Sequence, residues 1–269
     1  MWLIIKAIII GIVEGITEFL PISSTGHMII VGDMINFKDP ADYVSMFEIV
    51  IQLGAILAIV VLYRKKIWDT LKNLFGGDKS GLKFWINIIV AVIPSAIIGI
   101  LLNDLIEEKL FNTFTVAIGL LVGGILLILV ENKYRRRYKT KTIDDVNVVQ
   151  AFKIGCFQCL ALWPGMSRSA STIMGAWICG LSTVAAAEFS FFLAIPTMVG
   201  ASILSLGKHG INNLTFDQSV ALIVGFVVSF LVALLVVDKF INFLKKKKMR
   251  PFSVYRIVLG IVLLLMYIF

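Results

Sequence analysis

The chain has 269 residues, 59% of them apolar and 16% charged, with 25 Lys and Arg against 17 Asp and Glu for a formal net charge of +8. Mean hydropathy is +0.94, and the apolar share stands above the roughly 45–50% of a soluble domain. These values exclude a soluble globular enzyme. The surplus Lys and Arg fall between apolar runs, which is the positive-inside pattern of membrane proteins and argues against a nucleic-acid partner. The expected fold class is all-α integral membrane, one membrane domain over 1–269.

In chain order, Trp2–Leu20 is the first apolar segment. No small-residue cleavage pattern follows it and it carries two acids, so it is not expected to be a cleaved leader. Gly11–Gly32 reads GIVEGITEFLPISSTGHMIIVG. Glu14 and Glu18 lie one turn apart and share a helix face. Pro21 cannot continue the hydrogen-bond ladder, which predicts a stop near Leu20. Ser23, Ser24 and Thr25 then offer N-caps for a second short helix carrying His27. Residues 31–43 read as a turn. Membrane spans are predicted at about 44–62, 84–102 and 114–130 from apolar length. A basic loop with Lys72, Lys79 and Lys83 follows the first span, a short acidic loop over 103–112 the second, and a strongly basic loop over 133–141 the third.

The pattern then repeats. Gly155–Gly180 reads GCFQCLALWPGMSRSASTIMGAWICG: a short apolar helix, a break at Pro164, hydroxyls, and another short helix. Spans are predicted at about 185–206, 219–237 and 254–269, with a loop over 208–218 and a basic loop over 245–250. Pro21 aligns on Pro164 at an offset of about 143, and Glu48 on Glu188 at about 140. Each half, about 1–135 and about 150–269, holds one broken hairpin and three spans. Three is odd, so the second half is inverted relative to the first. The basic loops follow the first, third and fifth spans, which puts those ends in the cytoplasm. The first hairpin then enters from outside and the second from the cytoplasm. Cys156–Trp163 gives about 12 Å of helix against a hydrocarbon core of about 30 Å, so the hairpin is re-entrant. Trp2–Leu20 alone is long enough to cross, and that alternative puts the N-terminus inside.

Two helix starts aimed at one place favour an anion. Arg168, in PGMSRSAS, adds a guanidinium whose fork matches phosphate oxygens. Glu14 and Glu18 repel a phosphate, so their expected role is to hold a hard divalent cation that bridges to it. Ser24 is a candidate nucleophile, and His27 a candidate base or second nucleophile three residues on. Glu48 and Glu188 read as snorkelling or helix-dipole residues. Gly11 and Gly15 read as close-packing positions. Cys156, Cys159 and Cys179 read as buried inert thiols. A transporter or lipid flippase is the competing function, because broken helices meeting at mid-membrane are also transporter architecture.

EGITEFLPISSTGH and PGMSRSASTI resemble the two signature segments of the bacterial undecaprenyl-diphosphate phosphatases, the bacitracin-resistance BacA/UppP family. The similarity extends to FEIVIQLG over Phe47–Gly54, to Gly155–Pro164 and to Glu188–Pro196. The resemblance implies hydrolysis of undecaprenyl diphosphate to undecaprenyl phosphate and inorganic phosphate, recycling the lipid carrier of cell-wall synthesis. It implies a polyprenyl diphosphate substrate, Mg²⁺ or Ca²⁺, and a multi-pass protein of the bacterial inner membrane with an outward-facing site. A homodimer is compatible with it. By position, the acidic pair falls on Glu14 and Glu18, the serine turn on Ser23 and Ser24 with Thr25 beside them, the histidine on His27, and the phosphate-binding arginine on Arg168 between Ser167 and Ser169. Ala170 stands where the family usually has Gly, which is expected to be tolerated if that residue is helical.

Overall fold

A computed structural model describes residues 2–37, 40–76, 78–209 and 214–268. Its regular structure is helical: α1 (Trp2–Thr17), α2 (Ser24–Met34), α3 (Ala41–Leu62), α4 (Arg64–Phe75), α5 (Lys79–Leu110), α6 (Thr113–Tyr134), α7 (Val148–Gln158), α8 (Arg168–Ile178), α9 (Thr183–His209), α10 (Phe216–Lys246) and α11 (Arg250–Ile268). A 3₁₀ turn, Cys159–Leu162, extends α7. Six helices (α3, α5, α6, α9, α10 and α11) hold stretches long and apolar enough to cross a membrane. Those stretches contain four of the six predicted spans and all but the last residues of the other two, ending at Leu204 where 206 is predicted and at Ile268 where 269 is predicted, the latter outside the described residues. α1, α2, α7 and α8 are short.

Local chemistry explains where these helices stop. Pro21 would drive its ring into the carbonyl four residues back, so α1 ends at Thr17, three residues before the predicted stop. After the break, Ser23 caps α2 by accepting from the Gly26 N–H at 3.4 Å. The second hairpin repeats this arrangement. Ser167 caps α8 by accepting from the Ala170 N–H at 3.2 Å, and Ala170 is helical as its methyl requires.

Several predicted loops are helices. Residues 31–43 hold the end of α2 and the start of α3. The Lys-rich loop after α3 contains α4, whose Ile67, Leu71 and Leu74 recur at helical spacing and turn inward while Lys65, Trp68, Lys72 and Phe75 stay exposed. The acidic loop predicted over 103–112 is, as far as Leu110, the last part of α5. Acidic composition does not break a helix when Leu, Ile, Glu and Lys fill it and no Gly or Pro intervenes. The chain turns only at Phe111–Asn112, where the Asn112 side chain accepts from the Thr115 N–H at 3.0 Å.

α10 packs along α1 and α3, α6 pairs with α11, α5 with α7, and α3 with α9. α8 lies among α6, α7 and α9. The basic connections share one end of the bundle: Lys66 pairs with Asp144 at 2.8 Å, and Arg135 donates to the Lys247 carbonyl at 2.6 Å. At the other end the Tyr43 hydroxyl donates to the Gln218 carbonyl at 3.0 Å. A large core centred on Trp177, Phe189, Phe191 and Phe192 backs α8, and a second core of Ile10, Met28, Phe47 and Ile51 backs α1 and α2. The two broken segments therefore rest on rigid supports.

Candidate active site

The breaks after α1 and before α8 meet. Arg168 Nη2 lies 3.1 Å from Glu18 Oε1, although the residues are 150 apart in sequence. The other oxygen of that carboxylate, Oε2, accepts from the Ser24 hydroxyl at 2.6 Å. Arg168 Nη1 donates to the Ser190 carbonyl of α9 at 2.9 Å. Its Nε is buried and has no acceptor among the described residues. The guanidinium is thus held from two sides with one donor still unspent.

Around this trio lies a cavity of about 110 Å³, lined by Glu18, Ser23, Ser24, Thr25, Gln52 and Ser167 among others. That is well below the roughly 300–1,000 Å³ of a drug-sized ligand pocket. It suits a head group whose tail remains outside. In a larger hollow elsewhere, Asn147, Gln150, Lys153 and Cys179 contribute to the lining, and none of the predicted site residues does.

Ser23 and Ser167 are both non-glycine residues with positive φ, 74° and 69°. Such conformations cost on the order of 1–3 kcal/mol each and persist only where their surroundings impose them. They do so here through side chains one turn on. His27 Nδ1 lies 2.7 Å from the Ser23 carbonyl, and the Ser171 hydroxyl donates to the Ser167 carbonyl at 2.8 Å. The contact to a carbonyl makes Nδ1 the protonated nitrogen, so Nε2 accepts from the Tyr255 hydroxyl at 2.7 Å. His27, the candidate base for Ser24, therefore makes no hydrogen bond to it. Both imidazole nitrogens are engaged elsewhere, and the group beside Ser24 is Glu18.

Ser169 is fully buried and donates to the Leu20 carbonyl in the other loop at 2.9 Å. With its only proton committed there, Ser169 Oγ accepts from Ser167 at 3.0 Å. Ser169 thus ties the loops together, and the cavity face falls to Ser167. Gly165, at φ 93°, lets the second loop lie directly on α6: a methyl there would meet the Val116 carbonyl at 2.3 Å.

Glu14 lies one turn below Glu18, fully buried, and neither of its oxygens has a donor among the described residues. Glu18, Glu48 and Arg168 all act on it electrostatically. Glu48, half-buried on α3, is thus close enough to act on Glu14, which the snorkelling or helix-dipole reading of its place near a span end did not include. Glu188 accepts a long contact of 3.4 Å from the Tyr63 hydroxyl. Cys156 is exposed and Cys159 and Cys179 are half-buried, so the three thiols are less enclosed than their apolar setting implied.

Comparison with known proteins bears on the same residues. The family model described as bacitracin resistance protein BacA matches residues 7–262, both loops included. The chain belongs to this family. It is 62% identical over 269 residues to a protein of Clostridium tetani named undecaprenyl-diphosphatase, a match covering 100% of this chain and 98% of the relative. A Clostridium novyi protein with the same name is 59% identical over 282 residues, covering 100% and 97%. One from Thermoanaerobacter pseudethanolicus is 54% identical over 266 residues, covering 99% and 97%.

Sequence reasoning passed over Tyr255 and Arg256, neighbours on α11. Arg256 is fully buried and donates to the carbonyls of Pro21, Gly119, Gly165 and Met166 at 2.9–3.3 Å. The signal that singled out Arg168, an arginine inside an apolar segment, applies equally to Arg256. It was hidden by the nearby basic run ending at Arg250.

Proposed function

We propose that this family member is an undecaprenyl-diphosphatase, releasing inorganic phosphate from undecaprenyl diphosphate and returning undecaprenyl phosphate to cell-wall synthesis. The observation that carries this is the Ser24–Glu18–Arg168 contact chain in a head-group-sized cavity, in a chain whose full-length relatives bear that name.

Ser24 Oγ attacks the terminal phosphorus as its proton passes to Glu18 Oε2, a base that already stands within hydrogen-bond reach. The P–O bond to the bridging oxygen breaks, and undecaprenyl phosphate leaves with that electron pair. Water then hydrolyses the phosphoserine, taking the proton route in reverse. Arg168 turns its unspent Nε toward the incoming phosphate and neutralises charge on the equatorial oxygens. As phosphate draws Arg168 away, Glu18 is freed to take the serine proton. His27 holds the Ser23 carbonyl and so fixes the turn that presents Ser24.

A divalent metal fits the donor set. Glu14 offers two buried oxygens with no donor, and hard cations take carboxylate oxygens. Among the described residues no three His, Cys, Asp or Glu side chains form a metal-holding group. Glu14 and Glu18 are the residues that would hold Mg²⁺ or Ca²⁺ through their oxygens. The bound ion would supply positive charge to the phosphates.

The same reading includes two re-entrant hairpins in an inverted repeat, with the site opening outward. Three observations support it. Ser23 and Ser167 are capping serines with the same unusual φ at corresponding positions. Both ends of each hairpin lie together, through Lys6 and the Asn36 carbonyl in the first and Thr140 and Leu181 in the second. The Lys- and Arg-rich connections gather at the end where the second hairpin begins. The test is phosphate release by purified protein from undecaprenyl diphosphate across a Mg²⁺ and Ca²⁺ series. Release is expected. Its absence under all conditions, with lipid movement across proteoliposomes instead, would favour a flippase.

A further inference from the structure

We propose that Arg256 is a positioning residue for this reaction: its guanidinium clamps the two broken loops to each other and to α6, and so sets the distance between Ser24 and Arg168. The inference rests on the phosphatase reading for its functional part and on geometry alone for its mechanical part.

The acceptors define the role. Nη1 donates to the Pro21 carbonyl at 3.3 Å, two residues before the positive-φ Ser23. Nη2 is shared among the carbonyls of Gly165 and Met166, both at 2.9 Å and immediately before the positive-φ Ser167, and of Gly119 at 3.3 Å. One side chain thus grips the residues leading into both strained serines. No second side chain among the described residues donates to both loops. All four acceptors are main-chain carbonyls, so the geometry depends on a planar fork with several directed donors. A lysine ammonium is a compact point charge and cannot hold three segments at those separations.

α6 is built to admit this arginine. A methyl group at Gly123 would stand 1.9 Å from Nη2 and 2.9 Å from Cζ, so only a glycine leaves room for the guanidinium. The collision offers a way to displace Arg256 without replacing it. Gly123→Ala also favours helix formation in α6, so any lost function is not explained by a weaker helix.

The test uses the full-length protein in nanodiscs, with Arg256→Lys and Gly123→Ala as independent variants. Each is assayed for phosphate release and for amide hydrogen exchange. The expected result is faster exchange in peptides spanning 21–27 and 165–171, unchanged exchange in α9, and a fall in kcat on the order of 10²-fold with KM within a few-fold. That magnitude is what displacing reacting groups by about 1 Å costs. Should Arg256→Lys fail to fold, Gly123→Ala carries the test. Lost turnover with unchanged exchange would overturn the proposal, because the loops would still be held while function was gone. Faster exchange with full turnover would overturn it by making the clamp purely structural. Wild-type protein that releases no phosphate would count against the phosphatase reading, while the exchange arm would still decide whether Arg256 holds the loops.

Discussion

Ser24 Oγ lies 2.6 Å from Glu18 Oε2, whereas the histidine three residues along the same helix turns both ring nitrogens to other partners. One carboxylate therefore contacts the candidate nucleophile through one oxygen and the candidate phosphate clamp through the other. In the proposed mechanism proton removal would follow substrate arrival, because the guanidinium leaves Glu18 as its Nε turns to the phosphate.

The first prediction separates Glu18 from His27. Glu18→Gln keeps the shape and removes the proton acceptor, so single-turnover phosphate release should fall by about 10²–10⁴-fold, the usual contribution of general-base catalysis. His27→Asn leaves that acceptor in place and disturbs the Ser23 turn and the Tyr255 contact, so its loss should be smaller than that of Glu18→Gln. Rapid-quench measurement on both variants decides the order. A larger loss at His27 than at Glu18 would return the base role to the imidazole. Ser24→Ala should leave no phosphoenzyme to trap.

Arg168→Lys should lower kcat/KM by about 10²-fold. The cost comes from replacing a bidentate fork by a point charge where the transition state carries its charge. Ser190 and Glu18 would still hold the ammonium near the cavity, so KM should change less than kcat. Steady-state kinetics over a range of lipid concentration resolves the two.

How far these features were readable from sequence depends on whether each signal was local. Glu14, Glu18 and Arg168 stand out as charges inside apolar segments, and Pro21 and Pro164 both lie inside the breaks they announce, although α1 stops three residues earlier than Pro21 implied. Those signals needed no knowledge of what packs where. The partner of Ser24 was different. Glu18 and His27 are both within reach along the chain, and His27 is committed elsewhere by the Ser23 carbonyl and by the Tyr255 hydroxyl, the latter contributed by the distant α11. α4 and the end of α5 were missed because polar composition was read as loop, although helix formers with no Gly or Pro continue a helix regardless of charge. Arg256 depends on carbonyls from three distant segments, a relationship no periodicity carries.

Glu14 supplies a prediction about metal. Its oxygens touch no donor and lie beside Glu18, so Glu14→Gln should raise the Mg²⁺ or Ca²⁺ concentration for half-maximal phosphate release by about 10–10². That is the scale on which disturbing metal-site partners lowers affinity. Activity at saturating metal should recover substantially. EDTA should abolish wild-type release, and added Mg²⁺ or Ca²⁺ should restore it. A variant with unchanged metal dependence would remove Glu14 from the ion's ligand set.

The support beneath the site can be tested without touching its chemistry. α1 carries Glu14 and Glu18, and it lies against α10 through Gly15: a methyl there would stand 2.7 Å from the Ser229 carbonyl and 2.7 Å from Val232 Cβ. Neither neighbour is the free end of a flexible chain, so α1 must move outward. Gly15→Ala should therefore cost about 1–3 kcal/mol, the usual range for overpacking, and lower Tm by several degrees. Gly32, in α2, is the control. It has nothing within 4 Å of the same position, so Gly32→Ala should hold or raise Tm, because alanine loses less backbone entropy in a helix than glycine. Thermal unfolding of both variants in one detergent compares them directly. If α1 is the platform that sets the height of Glu18, Gly15→Ala should also slow phosphate release below its unfolding temperature, and Gly32→Ala should not.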